Sequence, residues 1–174
     1  MPKTRYKVLK YLLYFLGGVF LCVLQNTPGL FVIAGVKPML VAALAVAAAM
    51  FEGEFAGALC GAAGGLLCDI FSYYRFGFYA LIFFLCCCAV GLLVQNYMRP
   101  VATNCFLFTF LTMLFAQSVA FFFTVLIRGY ESPGLLFTAQ VLPLCLYTAA
   151  AAVPAFYGVR RFHLFFQQLL EAQE

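Results

Sequence analysis

Glycine recurs at every fourth position along one stretch of the chain, at Gly53, Gly57, Gly61 and Gly65, and the next place in that row is Asp69. Residues four apart lie on one face of an α-helix. The row is therefore a ridge without side chains, roughly 24 Å long at about 1.5 Å of rise per residue, ending in a single carboxylate. Another backbone can approach such a face closely. Because an i, i+4 row slants around its helix, one parallel partner cannot follow all of it. The spacing predicts that two neighbours share the ridge and that this helix is the hub of a bundle.

Composition decides the solvent around that bundle. Of 174 residues, 66% are hydrophobic and 9% are charged, with a mean hydropathy of +1.04. A soluble domain carries about 25% charged residues, so this chain is expected in a lipid bilayer. There, small residues at four-residue spacing commonly mark helix–helix contact, since lipid tails give apolar faces little reason to associate. The net charge of +4 is too sparse and too peripheral for a nucleic-acid surface. All eight cysteines fall inside apolar runs, without C-x-x-C spacing or a His/Cys cluster. They read as small packing residues rather than as a metal or redox site.

The predicted fold class is all-α, a polytopic membrane protein in one domain over 1–174 with six transmembrane helices. The spans fall at about 9–24, 30–51, 55–71, 77–97, 105–127 and 135–157. The basic head Lys3, Arg5, Lys7, Lys10 before an apolar run resembles a signal peptide, but no small-x-small cleavage site follows. It reads as a retained first helix. Lys37-Pro38 interrupts the second span, because proline removes a backbone donor and disfavours helix at the residue before it. The helix proper is then expected from Pro38, with 30–36 an entry segment near the outer surface. Glu52-Gly53-Glu54 predicts a tight inner turn. Pro143 and Pro154 are kink sites in the sixth span. The tail over 160–171 reads as an amphipathic interfacial helix, or else as a continuation of span six.

Six spans place both ends on one side. The inner segments then hold Lys3, Arg5, Lys7, Lys10, Arg99, Arg160 and Arg161, against Lys37, Arg75 and Arg128 outside. The positive-inside rule puts both termini in the cytoplasm. Tyrosines fall near the predicted interfaces, as in an aromatic belt. The connections are too short for a soluble domain, so partners are expected to be met mostly within the membrane.

Little supports catalysis. The sole histidine, His163, lies in the tail and reads as interfacial; Glu52 and Glu54 read as a solvated turn. No nucleophile sits beside a base and no acids pair within the bilayer, so no catalytic, cofactor or metal residues are assigned. Two ionisable residues fall at membrane depth, Lys37 and Asp69. Such residues are costly there and usually face protein or water. An antiparallel hairpin of spans two and three brings them to similar depth, where they are expected to pair. Asp69 paired with Arg75, Asp69 bound to a partner's polar group, and Asp69 as a hydrated cap are the other readings.

From Lys37 to about Leu93 the order of motifs resembles the rod shape-determining protein MreD family of bacteria. The pieces are Lys37-Pro38-Met39-Leu40, Glu52-Gly53-Glu54, Gly57-Ala58-Leu59-x-Gly61, Gly65-Leu66-Leu67-x-Asp69-Ile70-Phe71-Ser72 and Phe76-Gly77-x-Tyr79-Ala80-Leu81. The family's usual Pro-Asp-Leu stands here as Pro38-Met39-Leu40, without the acid. The resemblance covers about a third of the chain. It implies a non-enzymatic scaffold of the elongation (rod) complex in the bacterial cytoplasmic membrane. The implied partners are an MreC-like bitopic protein and, through the complex, the MreB cytoskeleton, the RodA glycosyltransferase and a class B penicillin-binding protein. It also implies a fold similar to the substrate-binding components of energy-coupling-factor vitamin transporters, which supply the rival function. A vitamin binder needs converging polar side chains, and Gln25, Asn26, Lys37, Asp69, Arg75, Gln117 and Gln140 look scattered. As an adaptor, the chain is expected to offer Gly53, Gly57, Gly61, Gly65 and Asp69 to helix packing and to a partner.

Overall fold

A computed structural model describes residues 2–27, 36–72, 76–126, 134 and 137–171. Among them the fold is all-helical. Six α-helices follow one another: α1 Pro2–Asn26, α2 Leu40–Glu52, α3 Glu54–Ile70, α4 Phe78–Asn96, α5 Ala102–Phe121 and α6 Leu142–Glu171. Wider π-helical turns extend α5 over Phe122–Leu126 and precede α6 over Phe137–Val141. Residues 30–35 of the entry segment, the loop residues 73–75 and residues 128–133 of the outer loop lie outside the described residues.

Among the described residues, four helical segments are long and apolar enough to cross a membrane: Val8–Asn26, Phe78–Asn96, Ala102–Thr124 and Phe137–Gln168. They mark the chain as a membrane protein. The other two helices are shorter than a span. α2 has 13 residues, about 20 Å of helix, and α3 has 17, about 25 Å, against roughly 30 Å of hydrocarbon. Proline sets the start of α2, since Pro38 cannot donate to a preceding turn. Gly53 sets its end, with a φ of +86° that only glycine adopts without strain.

The packing gathers small residues around α2 and turns many large ones outward. Every residue from Ala45 to Met50 in α2 is buried, the alanines among them at 4% exposure or less. Leu12, Phe15 and Phe20 of α1, Leu81 and Leu85 of α4, and Leu111 and Phe115 of α5 point outward and are exposed. Without a hydrophobic drive between helices in lipid, close backbone approach is what gains dispersion energy, and small side chains permit it. Short, alanine-rich α2 thus forms the centre in place of the glycine-ridge helix α3 expected there, lying against α1, α3, α4, α5 and α6.

The tail differs from the interfacial helix expected over 160–171. α6 runs without interruption from Leu142 to Glu171 through Pro154. Its last turns stay on the bundle. Phe162 meets Tyr14 edge-on at 5.1 Å, His163 lies 5.5 Å from Phe51, and Phe166 is buried. These aromatic contacts hold the end of α6 against α1 and α2.

Candidate functional site

The glycine ridge is consumed within the chain. A Cβ on Gly57 would stand 2.7 Å from Ala49 Cα of α2; one on Gly61 would stand 2.6 Å from Phe83 O of α4; one on Gly65 would meet Ala80 and lie 2.6 Å from Tyr79 O, again on α4. The row begins on α2 and passes to α4, following its slant. Gly53 makes the turn, and the Gln95 amide closes over it. All four glycines are buried. This corrects the expectation that the row offers itself to a partner: its neighbours in the fold already fill it.

Asp69 ends the ridge as an internal helix cap. Its side chain is buried, at 3% exposure. Oδ1 accepts the Tyr79 backbone N–H at 3.0 Å; Oδ2 accepts those of Gly77 at 3.0 Å and Ala80 at 3.1 Å. These are the first-turn donors of α4, which no local side chain caps. A carboxylate here satisfies orphan N–H groups and lies at the positive end of the helix dipole. The expected Lys37–Asp69 pair does not form. Lys37 is exposed, and the carboxylate's two oxygens are already taken by backbone donors. Three short, fixed N–H bonds satisfy a buried carboxylate without desolvating a second charge. Arg75 lies outside the described residues.

A second polar cluster sits at the end of the bundle where α1 begins and α2 and α6 draw level. Glu52 Oε1 accepts Tyr14 OH at 3.0 Å, lies 2.5 Å from Lys10 Nζ, and is 3.0 Å from His163 Nδ1. Lys10 Nζ also comes within 3.2 Å of His163 Nδ1. One Nδ1 cannot donate to Glu52 and accept from Lys10 at once, so the tautomer selects between two arrangements. The Glu52 side chain is 5% exposed, which overturns the solvated-turn reading for Glu52; its neighbour Glu54 is exposed. His163 likewise belongs to the packed interior of this cluster. Its only advance signal was a lone acid closing an apolar helix on the side that the positive-inside rule assigns to the basic residues.

The opposite end of α2 holds a third convergence. The Met39 N–H donates to Thr148 Oγ1 of α6 at 3.1 Å, and the Val41 N–H to Gln25 Oε1 of α1 at 3.4 Å. Gln117 of α5 reaches Met39 Sδ at 3.6 Å. Gln25 and Gln117 are therefore not scattered: they meet around the start of α2, where its orphan donors need partners. Both ends of the central helix are tied by side chains from other helices. All eight cysteines are free thiols, five of them buried, as packing residues are.

The arrangement defines a small-residue membrane bundle whose polar groups serve helix ends. The chain matches no family model, no curated protein and no solved structure.

Proposed function

We propose that the chain is a non-enzymatic scaffold subunit of the bacterial rod complex in the cytoplasmic membrane. In this reading the α2–α3 hairpin completes six passes and both termini are cytoplasmic. Its partners are an MreC-like bitopic protein and, through the complex, the cell-wall synthases. One observation carries the reading. The motif residues behind the resemblance, Gly61, Gly65, Asp69, Gly77, Tyr79 and Ala80, are the ones that fasten α3 to α4. Motif order and a shared structural task thus coincide. Because the ridge is filled internally, partner helices would meet the outward-facing leucines and phenylalanines instead.

Mass spectrometry of proteins copurifying with the tagged chain from gently solubilised native membranes tests this. An MreC-like bitopic protein together with cell-wall synthases is the expected recovery. An ATPase pair with a shared transmembrane coupling subunit would overturn the reading in favour of a vitamin transporter component.

A further inference from the structure

Within α1 and α6 two glycines stand unfilled, unlike those of the ridge. A Cβ on Gly17 of α1 or on Gly158 of α6 would meet nothing within 4 Å. Both line an apolar groove of about 680 Å³ between α1 and α6, floored by Leu40 and Leu44 of α2. Ala150, Pro154 and Gly158 are exposed along its rim, so it opens sideways.

Its length and its charged end point to one occupant. The α1 wall runs from Leu24 to Leu13, about 16 Å, and the α6 wall from Tyr147 to Phe162, about 22 Å. One leaflet of hydrocarbon is about 15 Å deep, whereas a membrane-crossing helix needs about 30 Å. Helical spacing carries the α6 stripe from Pro154 and Gly158 on to Arg161, level with the end of the groove at Phe162. Arg161 is exposed, and no ion pair of its own is formed among the described residues. Arg160 stands beside it, also exposed. The first turns of α1, which carry Lys3, Arg5 and Lys7, begin at the same end. Lys10 is already held by Glu52, and Tyr14 and Phe162 close the groove beneath it. An apolar channel one leaflet long with an unpaired arginine at its mouth suits a single acyl chain under an anionic headgroup.

We propose that the α1–α6 groove binds one anionic phospholipid, an acyl chain lying along Gly17 and Gly158 and the phosphate meeting Arg161. The site is independent of the scaffold reading.

Native mass spectrometry of the detergent-purified protein, titrated with phosphatidylglycerol or with phosphatidylcholine of matched chains, tests it. The expected result is one retained phosphatidylglycerol, preferred over phosphatidylcholine. Arg161→Gln, a surface change that leaves the packing alone, should weaken that preference about five-fold. Gly158→Leu has room for its side chain and should abolish retention of both lipids. Equal binding of the two lipids by the unaltered protein would overturn the proposal. So would retention indifferent to Gly158→Leu, which would mean ordinary boundary lipid. Loss of a copurifying single-span protein in Gly158→Leu, with lipid retention unchanged, would assign the groove to a helix and also overturn it.

Discussion

Among the described residues, two acidic side chains are buried in the bundle, and each is satisfied differently. Asp69 needs no cation, because three backbone N–H groups reach it. Asp69→Ala should strand those donors at the start of α4 and cost about 1–3 kcal/mol, read as a lower midpoint of thermal unfolding in detergent. Lys37→Ala should leave that midpoint unchanged, since Lys37 is exposed; a comparable loss in both variants would revive the ion pair. Glu52 depends on its partners. Glu52→Gln should leave Lys10 buried without its counter-charge, a loss of about 3 kcal/mol. Adding Lys10→Met should recover part of it, giving a double variant less destabilised than the two single losses summed. Strict additivity in the same unfolding assay would argue that the pair is open to water.

Among the elements, α3 and α4 are bound most closely, and the glycines set their distance. Gly65→Ala and Gly61→Ala should each force the two helices apart and cost about 1–3 kcal/mol. Gly17→Ala, with open space around its Cβ, should be neutral or slightly stabilising, because alanine is the better helix former. Unfolding midpoints that rank Gly65 and Gly61 well below Gly17 would verify the contrast. This part of the fold was legible because a glycine row is local: its period alone fixes a face, and its slant implies two neighbours. The Glu52 cluster was not legible in that way. Tyr14 is 38 residues from Glu52, and His163 is 111 away, so no sequence window holds the set. Asp69 misled for another reason. Its position in the ridge was readable, but a charged partner stands out in a sequence, whereas a backbone N–H occurs at nearly every residue and is available only where a helix starts. The continuous tail was left open between two readings because amphipathic spacing suits a membrane surface and a bundle surface equally.

At the scale of the molecule, α6 holds both ends of α2. Thr148 receives the Met39 N–H at one end of α2, and His163 reaches Glu52 at the other. Deleting the chain beyond Gly158 should therefore free the Glu52 end while sparing the Thr148 end. Faster proteolysis near the turn at Gly53, with α5 still protected, is the expected pattern. The same bracing has a consequence for how the protein is made. A ribosome delivers α1, α2 and α3 long before α6, so the central helix enters the membrane with only the partners that α1 supplies, Gln25 at one end and Lys10 and Tyr14 at the other. Until α6 arrives, the nascent hairpin is sheltered by the insertion machinery or by α1 alone. Chains that do not yet carry α6 would then expose a polar flaw that membrane quality-control proteases can recognise.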